Sequence, residues 1–202
     1  MSNMPYDVVD YNDEDVKSIN DRDPWLTVPQ GTFRVIIKGE KHLTELSTQE
    51  KTANCPQMQL LAVVLSNPED PTSETQYKMT TKVQFPLANA PGVKIDKQAK
   101  AICAGQFRRL APEEVPARPT YQNKVAVFNG EAVSEEEDLA LKEAQNKASL
   151  DFATRLWRGK TSLKGRLYYV DVVHNVKGDR TFANMNNIRE KLADGETVSE
   201  LP

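Results

Sequence analysis

The stretch Trp157-Arg-Gly-Lys-Thr-Ser-Leu-Lys-Gly-Arg-Leu-Tyr-Tyr-Val-Asp-Val-Val-His174, continued by Asn175-Val-Lys-Gly-Asp-Arg-Thr-Phe-Ala-Asn-Met185, reads as a long strand, a turn at Lys177-Gly178-Asp179 and a returning strand. The first strand begins basic and aromatic and ends apolar. Successive side chains of a strand point to opposite faces. By that rule Lys164, Arg166 and Tyr168 share one face, and Leu163, Leu167 and Tyr169 share the other. Cations beside an exposed ring suit a single-stranded nucleic acid, because the cations meet phosphates and the ring stacks on bases. The same pattern also fits a half-solvated hairpin whose lysines keep it soluble.

Upstream, three more strands are predicted. Thr32 to Lys38 alternates, with Phe33, Val35 and Ile37 on one face and Arg34, Ile36 and Lys38 on the other. Met58 to Ser66 is apolar on both faces, as a central strand should be. Gln76 to Phe85 sets Tyr77, Met79, Thr81, Val83 and Phe85 against Lys78, Thr80, Lys82 and Gln84. Between this third strand and the fourth lies a helical segment. Asp96 is placed to cap a helix running to Leu110, with Ala99, Ile102, Cys103 and Leu110 as its apolar stripe and Phe107 at the edge. Pro112, Pro116 and Pro119 mark a linker, and Tyr121 to Phe128 reads as a short strand or an ordered loop. Ser134-Glu-Glu-Glu137 is a capping box opening a helix to about Trp157, with Leu141, Ala144, Ala148, Phe152 and Leu156 inward. The carboxylates of Glu135 to Asp138 suit the positive helix N-terminus better than a metal. Arg180 to Asn186 is the fifth strand. The class is therefore mainly β with helices, an α+β chain.

The charge is uneven. Of 202 residues carrying a net −3, residues 1–24 hold seven acids against Lys17 and Arg22, a balance of −5. Residues 190–202 hold four acids against Lys191, a balance of −3, which leaves +5 for residues 25–189. A basic body between acidic ends points to a polyanionic partner, although solvated tails alone give the same pattern. The expected organisation is an acidic flexible tail over 1–24, a domain over 25–189 with a helical insertion at about 93–157, and an acidic tail over 190–202. No apolar run approaches the roughly 20 residues that span a bilayer, and Met1 to Asn20 has no apolar signal core. Two distant cysteines, Cys55 and Cys103, fit a reducing cytoplasm.

Motifs for catalysis are missing. Gly159-Lys160-Thr161 resembles the end of a phosphate-binding loop, but Thr154 stands where its first glycine belongs. Cys55, Cys103, His42 and His174 stand singly, so neither a zinc site nor any other cofactor is expected. A Cys–His pair meeting only in the fold has no local support, and free cysteine is most often a small buried hydrophobe. Asp171 and Asp179 are weak magnesium candidates, and the turn explains Asp179 better. No residue pattern argues for an enzyme.

Three strands, a helical insert and two strands is the element order of an OB-fold, a five-stranded partly open barrel. The sequence also resembles the OB-fold single-stranded-DNA-binding proteins encoded by bacteriophages. The resemblance rests on Gly31-Thr-Phe-Arg-Val-Ile-Ile37, on Leu156 and Gly159-Lys160 before the strand with Tyr169-Val-Asp-Val-Val173, and on the Gly178 turn and the closing Asn186-Asn-Ile188. It extends loosely over residues 25–189. It implies a five-stranded OB-like barrel with a helical insertion between strands three and four. It also implies sequence-tolerant binding of single-stranded DNA in phage replication or recombination, in the host cytoplasm.

Under that resemblance Arg34, Lys38, Lys78, Lys82, Lys160, Lys164 and Arg166 would form a positive groove, with Lys177 and Arg180 in the hairpin loop. Tyr168 and Phe182 would stack on bases, while Trp157 and Tyr169 would be core. The loops at Lys41 to Thr52 and Asn175 to Arg180 would flank the strand. The family often ends in an acidic tail with an aromatic residue that recruits replication partners. This chain ends Glu200-Leu-Pro without one, so the N-terminal segment with Tyr6 and Tyr11 is a second candidate for recruiting replication or recombination proteins. The insertion, about 75 residues against the usual single helix, is a candidate surface for self-association. A viral scaffold or protein-interaction domain is the alternative function.

Overall fold

A computed structural model describes residues 26–88, 91–177 and 180–202, and for Lys177 and Arg180 the backbone alone. The expected tail over 1–24 and the turn residues Gly178 and Asp179 lie outside the described residues.

The chain divides into two compact units. In the first, a five-stranded sheet is centred on β1 (Gly31–Leu43). β2 (Gln57–Leu65) pairs antiparallel with one side of β1, and β7 (Leu167–Lys177) with the other. β3 (Glu74–Gln84) lies beyond β2, and β8 (Arg180–Arg189) lies beyond β7, giving the order β3-β2-β1-β7-β8. The α+β class is as expected. Among the described residues no ladder joins β3 to β8, so the sheet is open.

β1 is central because the chain can cover both its faces and both its edges. Phe33, Val35 and Ile37 are buried on one face, where Val35 stands opposite Tyr168 and Phe33 opposite Val170. On the other face Ile36 packs with Val63, Leu65 and Leu167. Each such aliphatic or Phe side chain, once fully buried, contributes about 1.5–3 kcal/mol. β2 is buried along nearly its whole length, as its unbroken apolar run predicts. The β1–β2 ladder shifts register between Ile37 and Gly39, so Lys38 stands at the irregularity and Glu40 is buried beyond it. Burying a carboxylate requires a donor; Glu40 accepts the Leu163 backbone N–H.

The acidic segment 190–202 is held against the start of β1. Ser199 N donates to Thr32 O over 2.7 Å, and Thr32 N donates to Ser199 Oγ over 3.0 Å. Gly31 makes room for this contact. Its φ is +146°, and a Cβ there would lie 2.3 Å from Ser199 Oγ.

The second unit holds α1 (Lys97–Leu110), α2 (Glu135–Trp157) and a small sheet of β4 (Thr120–Gln122), β5 (Val125–Phe128) and β6 (Glu131–Ala132). Both predicted caps are present. Asp96 accepts from Gln98 N, and Ser134 and Glu137 close the reciprocal box. Phe107, expected at the edge of the α1 stripe, is instead central. It meets Phe85 and Phe152 edge-on at 5.2 and 5.6 Å between centroids, and Phe85 meets Trp157 at 5.0 Å.

The stripe expected on α2 is rotated. Ala144 is exposed and Leu141 half-buried, while Gln145 and Ser149 are buried. The rotation lets Gln145 Nε2 donate to the Pro116 carbonyl over 3.0 Å, a contact that periodicity alone cannot foresee.

Candidate nucleic-acid interface

Arg34 of β1 and Tyr169 of β7 lie on one face of the sheet. These residues stand opposite each other in the ladder, and cross-strand partners share a face. The Arg34 guanidinium lies 4.2 Å from the centroid of the Tyr169 ring, well within the range of a cation–π contact. Both side chains are half-exposed. A stacked guanidinium and ring present a flat, positively charged platform, the combination that base stacking and phosphate attraction both use.

Tyr168, the expected stacking residue, is wholly buried. The strand begins only at Leu167, and Gly165 turns the chain at φ +80° just before it. Alternation therefore cannot be carried through from Lys164 and Arg166 to Tyr168. Tyr168 falls in phase with Val170 and Val172, both buried, and Tyr169 falls in phase with Asp171. The charge on Asp171 was the signal in the sequence that this phase faces outward. Tyr169 had been expected in the core, and so had Trp157, which is buried.

Phe182, the other stacking candidate, is 46% exposed and stands opposite Asn175, on the face shared by Tyr169. Asn175 follows Tyr169 by six steps along β7, or roughly 20 Å at a strand's rise. Between them lie Asp171, exposed Val173, and Asn184 and Asn186 of β8.

Asp171 would repel phosphate if left alone, but it is ion-paired and hydrogen-bonded. Its Oδ1 accepts from Arg189 Nη2 at 3.0 Å and from Thr32 Oγ1 at 2.9 Å, and its Oδ2 accepts from Asn187 Nδ2 at 2.8 Å. The Arg189 guanidinium, aided by Asn187 and Thr32, holds the Asp171 carboxyl below the usual carboxylate range. Arg189 also bonds Glu196 over 2.8 Å. Asp171 is thus engaged structurally rather than available for magnesium.

The remaining predicted residues divide. Lys164 is exposed and Arg166 half-exposed, in the turn that enters β7, where Arg166 O accepts from Ile37 N at 3.0 Å. Lys38 is ion-paired to Glu74 over 2.8 Å, which spends part of its charge. Lys78 and Lys82 alternate with buried Met79 and Val83 on β3, as expected. Lys160 is exposed and belongs to the helical unit. Residues 45–52 of the expected Lys41–Thr52 loop belong to that unit too, whereas Lys41 to Leu43 extend β1. Of the hairpin loop, Asn175 to Lys177 and Arg180 are strand residues.

The chemistry elsewhere is structural. Cys55 and Cys103 are both buried, and a hydrogen bond between them, reinforced by burial, pushes the Cys103 thiol far up. His174 Nε2 donates to the Val28 carbonyl over 2.7 Å. In the helical unit, Asp138 accepts from Tyr121 Oη and from Lys142 Nζ, whose ammonium lies 4.9 Å from the Tyr121 centroid. That cluster ties β4 to α2 and escaped sequence reasoning, because nothing in the spacing joins residues 121 and 142. Among the described residues no three His, Cys, Asp or Glu side chains gather to hold a metal, and no helix is long and apolar enough to cross a membrane. Compared with known proteins, the chain matches no family model and no curated protein.

Proposed function

We propose that this protein binds single-stranded DNA with little sequence preference, protecting and presenting the strand in phage replication or recombination. The observation that carries the reading is the Arg34–Tyr169 stack on the outward face of β1 and β7. Phe182 lies further along the same face, and Asp171 between them is paired with Arg189. Supporting it are the +5 balance of residues 25–189 and the strand order. With the first strand paired to both the second and the fourth strands of the sheet, the sheet reads as an OB-like barrel opened at the seam between its outermost strands. Replacing Tyr168 by Tyr169 as the stacking residue keeps the mechanism and changes the ring.

The test is fluorescence anisotropy of a labelled oligo-dT at two salt concentrations, with duplex DNA and single-stranded RNA as competitors. Binding resists duplex and weakens with salt, with a log–log slope of about −0.7 per phosphate contacted. Tyr169→Ala and Phe182→Ala each cost about 1–3 kcal/mol of affinity, the worth of a base stacked on an aromatic. Absence of binding at low salt overturns the reading. The exposed apolar side chains of the β7–β8 hairpin, Val173, Val176 and Phe182, would then favour the second reading, a protein-interaction domain.

A further inference from the structure

We propose that the outer edge of β8 is a contact between two copies of this chain, paired antiparallel about a two-fold axis perpendicular to the sheet. This rests on the edge alone and stands apart from the nucleic-acid reading.

β8 ends the sheet, and among the described residues no strand pairs with its far side. An unpaired edge is a row of free backbone donors and acceptors, and proteins that remain monomeric usually blunt it with charge, proline or a bulge. Between Arg180 and Arg189, β8 reads Thr-Phe-Ala-Asn-Met-Asn-Asn-Ile, without a charge or a proline. The irregularity of its ladder with β7 lies near the Arg189 end, between Tyr169 and Asp171. Phe182 on the edge strand is 46% exposed, and on β7 beside it Val173 is 45% and Val176 66% exposed.

The occupant follows from the strand's own pattern. In an antiparallel pair related by a two-fold axis, the axis passes midway between two directly opposite residues. Some residue therefore faces its own copy, and opposite residue numbers sum to an even number. Arg180 and Arg189 sum to an odd number, so no such register sets one directly against the other. With Asn184 on the axis, Phe182 faces Asn186 and Ala183 faces Met185 of the other copy, all uncharged. Arg189 is already balanced by Asp171 and Glu196. A second copy of β8 thus meets no like-charge penalty along its length. Because the axis is perpendicular to the sheet, the faces carrying Arg34 and Tyr169 in the two copies lie on one side of a continuous ten-stranded sheet.

Light scattering or sedimentation equilibrium of the full chain at tens of micromolar tests this. The expected mass is twice 22.7 kDa. Asn184→Lys with Asn186→Lys changes two exposed positions and sets lysines against each other in the central registers, weakening the dimer about tenfold or more. Leu139→Lys, on the exposed face of α2, leaves the mass unchanged. Asn184→Cys links two chains under mild oxidation, the native thiols being buried. A monomeric wild type overturns the proposal, as does a dimer that survives the double substitution or dissociates with Leu139→Lys. A chain that dimerises only after residues 1–25 are removed also overturns it, since the edge would then belong to that segment.

Discussion

The two edges of the five-stranded sheet are finished differently. β3 carries Glu74, Lys78 and Lys82, with Glu74 paired to Lys38, and Leu26 forms a parallel bridge at Tyr77. β8 has arginines at its ends and eight uncharged residues between them. Charge along an edge repels a foreign strand whatever else it does. The lysines of β3 therefore have a use before any ligand is considered, and their presence is weaker support for phosphate binding than the stacked Arg34. The bare edge of β8 lacks that ordinary explanation.

The largest expected effect tests which face of β7 is buried. Tyr168→Ala removes a wholly buried ring and costs about 3–5 kcal/mol, judged from other large aromatic truncations. Tyr169→Ala costs under about 1 kcal/mol of stability, because its ring is half-exposed. Urea unfolding of the two variants decides the assignment; equal losses would break it. Next comes Gly31→Ala, expected to cost about 1–3 kcal/mol, since the new Cβ meets Ser199 Oγ. Ser199→Gly in the same chain recovers part of that loss if the contact is the cause.

Smaller is the change from stripping β3. Lys78→Thr with Lys82→Thr leaves Glu74 as the charged side chain of that edge. Light scattering at rising concentration is then expected to show mass above that of the unmodified chain; unchanged mass would mean that the lysines do not guard the edge.

The smallest effect is the response to acid at the root of β8. Arg189 depresses the folded pKa of Asp171, so the stabilisation is present above the unfolded carboxylate value of about 4 and is lost as pH falls through the folded one. Asp171→Asn flattens that part of the stability–pH curve. Burial lowers the His42 pKa, so its contribution is full above the unfolded value of about 6.5 and fades as pH falls below it. His42→Gln removes that step, which thermal melts between pH 7.5 and 5.5 can read.

Much of the fold is legible in the chain because local chemistry and tertiary packing agree there. The unbroken apolar run of β2 is central because both faces are covered, and Ser134 with Glu137 closes a box that needs no distant partner. The site is less legible. Tyr168 and Tyr169 are adjacent and chemically identical, and only the phase of β7 distinguishes them. That phase is fixed by Val35 and Arg34, more than 130 positions away. Gln145 displaced the apolar stripe of α2 for the same reason: its buried amide is met by the Pro116 carbonyl, which no periodicity contains. Charge was the more reliable guide, since Asp171 marks the outward face that the neighbouring ring does not.

The place of β1 in the sheet bears on synthesis. Phe33 emerges early, but its partner Val170 follows 137 residues later, roughly 10–30 s at ordinary elongation rates. β2 reaches β1 soon and takes one side. The other side, with Val35, Ile36 and Ile37 in a row, stays open while residues 84–161 are made and close on themselves. A ribosome that pauses across the insertion lengthens that interval. The species most exposed to misassembly is therefore the unfinished chain on the ribosome rather than the released protein.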